Sequence, residues 1–123
     1  NPEQHKFVLI APATKTTTSF NNYFDLMRFS EIIKTAFLSY AATLTTHPIT
    51  HFEADRAIEK YTGPILWVHD AEDKVCPYKD LINFQEKAPK NINFLITKGL
   101  GHNKVYKTLS VIDKIMAFLA PED

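Results

Sequence analysis

The chain has 123 residues, 45% of them apolar, with 14 Lys and Arg balanced by 14 Asp and Glu; this suits one packed globular domain and is far from a disordered composition. The charge balance leaves no basic footprint for nucleic acid and no polybasic surface for anionic lipid, so neither a nucleic acid nor a membrane is expected as partner. One cysteine, Cys76, cannot staple a secreted scaffold, and the sequence opens at Asn1 without a charged-then-apolar leader, which points to a reducing, cytoplasmic setting and to a chain cut from something longer.

Lys6 opens and Ala11 ends the first apolar run (KFVLIA, residues 6–11), which Pro12 closes, as in a strand of a parallel sheet buried on both faces. Ser19 is the expected cap of a first helix carrying Phe20, Tyr23, Phe24 and Met27, and Ser30 begins a second. In the second helix Ile32, Ile33, Ala36, Phe37, Tyr40, Ala41 and Leu44 form an apolar stripe, with Glu31 at the positive end of the helix dipole. Pro48 ends that region, and one more irregular or helical piece spans residues 52–61.

Glycine is scarce, three in all against a usual ~7%, and its positions act as punctuation. Gly63 precedes a second apolar run, residues 65–69 (ILWVH), and Gly99 and Gly101 follow a third, residues 92–97 (INFLIT). Pro77 opens a helix between them, in which Leu81 and Phe84 share a face, and Ala88 with Pro89 closes it. A last helix carries Val105, Leu109, Ile112, Met116 and Leu119, stepping by four, three, four and three. Alternating strands and helices predict right-handed crossovers and a parallel sheet with helices on both faces. Three strands are few where ~5 or more are usual, so the sheet is expected to recruit strands from a second copy or from sequence before Asn1. The three glycines cannot write a dinucleotide fingerprint or a phosphate loop, which removes Rossmann and kinase readings.

In open parallel sheets reactive groups collect beyond the carboxyl ends of the strands. The second run ends in Asp70-Ala71-Glu72-Asp73 and the third in Gly99-Leu100-Gly101-His102. A carboxylate from one strand end can hold one imidazole nitrogen so that the other serves as a base, which makes Asp73 and His102 the candidate catalytic pair and Asp70 the fallback acid.

The stretch Pro64-Ile65-Leu66-Trp67-Val68-His69-Asp70-Ala71-Glu72-Asp73-Lys74-Val75-Cys76-Pro77, followed by Gly99-Leu100-Gly101-His102-Asn103, resembles the carboxyl-terminal part of an α/β-hydrolase. That family writes a strand, then His-Gly-x-x-Asp-x-x-Val-Pro, then Gly-x-Gly-His, with the acid before the histidine. The resemblance implies an α/β fold of three-layer αβα type, residues 1–123 forming the carboxyl-terminal part of one hydrolase domain and residues 14–62 a helical cap-like insertion. It implies Asp73 as catalytic acid, His102 as catalytic base, no metal or organic cofactor, and a small-molecule acyl substrate in the full-length parent. The sequence departs from the pattern at Asp70, where the family has Gly, and at Cys76, where Val is common. It also lacks any Gly-x-Ser-x-Gly, because Ser19, Ser30, Ser39 and Ser110 have no flanking glycines. The nucleophile and oxyanion hole are therefore expected upstream of Asn1, and the chain alone is expected to be inert.

Blander readings compete. The acids at Asp70, Glu72 and Asp73 lack the alternating oxygens and glycine of a calcium loop. His47 and His51 stand four apart near Glu53 and Asp55, but Pro48 spoils the helix such zinc spacing needs. Cys76 reads as a packed thiol, and the aromatic set Phe20, Tyr23, Phe24, Phe29, Phe37 and Phe52 reads as core or as the lining of an acyl pocket. A non-enzymatic alternative is a hydrolase-like module that binds a partner, or a second copy as a homodimer, through an unpaired edge of the strand at residues 6–11.

Overall fold

A computed structural model describes residues 5–121. Three strands, β1 (Phe7–Ile10), β2 (Ile65–Asp70) and β3 (Ile92–Thr97), form a parallel sheet in the order β1-β2-β3. In its register Leu9 lies beside Trp67, and Trp67 beside Phe94. Among the described residues six α-helices accompany the strands: α1 (Thr16–Leu26), α2 (Glu31–Thr43), α3 (Ala54–Ala57), α4 (Tyr78–Gln85), α5 (Gly101–Lys104) and α6 (Leu109–Leu119), with a 3-10 turn at Ile49–Phe52.

All six residues of β2 are buried, and strand alternation divides them between two cores. Ile65 and Trp67 meet Leu81 of α4 and Ile92, with Ala54, Ile58 and Phe84 packed alongside. Leu66 and Val68 meet Val105 and Val111, with Ile115 and Phe118 of α6 alongside. Helices on both faces of a parallel sheet make the three layers of an α/β architecture. Trp67 is fully enclosed between Phe84 and Phe94, so Trp67→Ala is expected to cost about 3–5 kcal/mol in urea unfolding.

β1 differs from the doubly buried strand its apolar run suggests. Among the described residues it lies at the edge of the sheet and pairs only with β2, so Phe7 and Ile10 are exposed while Val8 and Leu9 pack inward. Because the amides of Phe7 and Ala11 donate to the Pro64 and Val68 carbonyls at 3.0 and 2.9 Å, the alternate backbone groups of Val8 and Ile10 point away from β2. Lys6 ties this strand to the third layer, its ammonium donating to the Phe118 and Ala120 carbonyls at the end of α6.

Three helical expectations also shift. α1 begins at Thr16, whose hydroxyl donates to the Ile49 carbonyl at 2.8 Å, so Ser19 is buried within the helix instead of capping it. Ser30 does cap α2, accepting the Ile33 amide, yet no residue of α2 is buried; of its stripe, Phe37 packs on Phe20 and Phe24 while Ile32, Tyr40 and Leu44 face out. On α6 the buried face is Val111, Ile115 and Phe118, and Leu109 and Met116 are exposed. Among the described residues no helix is long and apolar enough to cross a membrane.

Candidate functional site

The loops after β2 and β3 meet at the carboxyl ends of the strands. In the first, the Asp73 side chain is fully buried and turns back on its own loop, Oδ1 accepting the Val75 and Cys76 amides at 2.8 and 2.9 Å. Oδ2 is left facing His102 Nδ1 at 2.8 Å. His102 sits at the start of α5, after Gly99 and Gly101 at φ 81° and 63°, left-handed conformations that glycine adopts without strain. With Nδ1–H donating to the carboxylate, Nε2 carries the free lone pair. The imidazole is 32% exposed, beside a cleft of about 390 Å³ lined by Leu26, Glu72, Val75, Leu100 and Asn103. A Cβ at Gly101 meets open space, so Gly101→Ala is expected to cost backbone strain alone, about 1–2 kcal/mol, measured by urea unfolding.

The structure thus brings Asp73 and His102 together and sends Asp70, the fallback acid, elsewhere. Asp70 is fully buried; its Oδ2 accepts the Thr97 hydroxyl at 2.7 Å and the Leu100 amide at 3.0 Å, and its Oδ1 the Glu72 amide at 2.9 Å. Burial opposes its charge, but hydrogen bonds from Thr97, Glu72, Gly101 and Leu100 outweigh that penalty and hold the carboxyl below its ordinary range. A carboxyl depressed in the folded state contributes stability above its unfolded value and loses it as pH falls through the folded value. The contacts of Asp70 are accordingly expected to survive acidification past about pH 4 and to fail only below it, read from the Leu100 amide in NMR spectra.

His69 braces the acid loop from beneath. Its Nε2–H donates to the Cys76 carbonyl at 2.7 Å and its Nδ1 accepts the Trp67 indole N–H at 3.4 Å, which fixes the tautomer. Sequence reasoning passed over this residue, although a His-Asp pair ending an apolar strand is itself a signal, since buried polar groups need partners. α1 leans on the same loop: Asn22 donates to the Val75 carbonyl and Ser19 to Cys76 Sγ. Burial, and to a smaller extent Asp73 and Asp80, pushes the Cys76 thiol above its ordinary value despite the Ser19 contact, which favours a packed thiol over a nucleophile. No serine or cysteine among the described residues hydrogen-bonds His102.

His47 and His51 stack face to face, ring centres 4.0 Å apart, and among the described residues no group of three or more His, Cys, Asp or Glu side chains is placed to hold an ion. The aromatic set divides: Phe24 is buried among Phe20, Phe29 and Phe37, while Phe20 and Phe52, with Leu38, Ala41 and Ile49, line an apolar pocket of about 580 Å³.

No protein-family model matches the chain. Over 85 residues it is 25% identical to α/β hydrolase domain-containing protein 17C of Homo sapiens, covering 69% of this chain and 26% of that protein. The same protein from Xenopus tropicalis is 25% identical over 69% of this chain and 27% of its own length. α/β hydrolase domain-containing protein aho-3 of Caenorhabditis elegans is 22% identical over the same share of this chain and 26% of its own. The match therefore spans about a quarter of the length of these relatives. At low identity and over part of the chain, these similarities join the three-layer parallel sheet in supporting an α/β-hydrolase-related module.

Proposed function

We propose that this chain supplies the acid and the histidine of a Ser-Asp-His triad in a serine hydrolase acting on an ester, thioester or related acyl bond, with the serine contributed by sequence outside it. The observation that carries this reading is the 2.8 Å contact of His102 Nδ1 with a fully buried Asp73 carboxylate whose other oxygen is occupied by two backbone amides. In the proposed mechanism the serine hydroxyl attacks the acyl carbon as His102 Nε2 takes its proton and then returns it to the leaving group. Asp73 holds the tautomer and stabilises the imidazolium. The helical segment at residues 14–62 acts as the lid, its α1 resting on the acid loop through Ser19 and Asn22.

The test is covalent labelling of the full-length protein with a fluorophosphonate, which traps activated serines. Labelling that His102→Ala abolishes is expected; a folded wild-type protein that takes up no label, or a His102→Ala variant that labels as well as wild type, overturns the triad.

A second reading rests on the edge of β1, where Phe7 and Ile10 are exposed and the outward groups of Val8 and Ile10 offer a pairing template. In that reading the chain is a non-catalytic module that pairs with a second copy through β1. Light scattering is then expected to give a dimer that Val8→Pro dissociates, and a monodisperse monomer would sink it.

A further inference from the structure

We propose that Asp70 is a positioning residue for the Asp73–His102 pair: a buried carboxylate that clamps the histidine-bearing loop to the acid-bearing loop. The inference rests on the triad reading for its functional meaning but stands on geometry of its own. One oxygen of Asp70 accepts the Glu72 amide, inside the acid loop, while the other accepts the Thr97 hydroxyl and the Leu100 amide, at the entrance to the histidine loop. The Ala71 amide, donating to the Thr97 carbonyl at 2.8 Å, adds a backbone tie at the same junction.

The histidine loop needs such an anchor because of its two glycines. Gly99 and Gly101 both adopt left-handed conformations, and a side chain at either would touch nothing within 4 Å, so packing does not fix the loop at those positions. Leu100, between them, is held by its side chain against the Val105 core and by its amide on Asp70. His102 follows two residues later, so the orientation of its ring toward Asp73 is inherited from that anchor. A glycine at position 70, the residue of the motif this sequence resembles, has no side chain to span the two loops.

Asp70→Asn tests the clamp with almost no change in shape. The amide can replace only one carboxylate oxygen as acceptor; its carbonyl stays where the Thr97 hydroxyl and the Leu100 amide converge, so its NH₂ opposes the Glu72 amide and the tie to the acid loop is lost. The readouts, on the full-length protein, are hydrogen exchange of the Glu72 and Leu100 amides and the downfield proton resonance of His102 Nδ1–H. Exchange at Glu72 about tenfold faster or more is expected, the loss of a charge-assisted hydrogen bond, with weakening of the His102 resonance while the protein stays folded. A folded Asp70→Asn variant whose His102 resonance and whose Glu72 and Leu100 exchange all match wild type overturns the proposal. Should that variant fail to fold, Asp70→Gly decides in the same way, since it removes the acceptors of both amides and installs the residue of the motif this sequence resembles. Neither readout needs turnover, so a protein that hydrolyses no ester would defeat the triad and leave the clamp standing, and the reverse outcome is equally distinguishable.

Discussion

Asp73→Asn in the full-length protein is expected to lower ester turnover by about four orders of magnitude while leaving the fold intact, and His102→Ala to do at least as much. The geometry gives the reason. Asp73 Oδ1 is committed to the Val75 and Cys76 amides, and an asparagine must keep its carbonyl oxygen there to satisfy both. Its NH₂ group then faces His102 Nδ1, where Oδ2 now lies at 2.8 Å. A donor in that place makes Nδ1 the acceptor and moves the imidazole proton to Nε2, the nitrogen that must take the serine proton. The variant is thus held in the wrong tautomer with its turn undisturbed. Steady-state kinetics on an ester, paired with a thermal melt, checks both halves, and turnover within tenfold of wild type in a folded variant would remove Asp73 from the mechanism.

The second large effect lies on α6. Val111→Asp is expected to destabilise the protein by about 4 kcal/mol or more, because it places an unpaired charge in the core formed with Leu66 and Val68. Met116→Asp and Leu109→Asp, on the exposed side of the same helix, are expected to stay within about 0.5 kcal/mol of wild type. Urea unfolding of the three variants measures the contrast, and equal losses at Val111 and Met116 would refute the assignment of faces.

That helix also shows where sequence reasoning stops. Its apolar residues fit two helical stripes, one through Leu109, Ile112, Met116 and Leu119 and one through Val111, Ile115 and Phe118. Spacing cannot choose between them; contact with the sheet does. α2 carries the same lesson, since its stripe is amphipathic in period yet no residue of the helix is buried, and Phe37 packs on Phe20 and Phe24. The strands were legible because each apolar run ends at a Gly, Pro or acidic loop, and residues 92–97 match β3 in full. The solvent exposure of β1 was not, because an apolar run does not say which strand has a neighbour on only one side. Asp73 and His102 could be paired from their places after two strands, whereas the partners of Asp70, Thr97 and Leu100, lie far along the chain and leave no spacing to read.

The two crossovers of the sheet are very unequal. Between Ile10 and Ile65 the chain passes through α1, α2 and α3, whereas between Asp70 and Ile92 it passes through α4 alone. Closing a longer loop costs more entropy before any contact repays it, so β2, α4 and β3 are expected to assemble first, with α6 following closely in sequence. Asp73 and His102 both lie within that early unit, and β1 is the strand seated last. During folding the open flank of β2 is therefore a vacancy for which β1 of the same molecule and any other extended strand compete, which makes misassembly depend on protein concentration at that step.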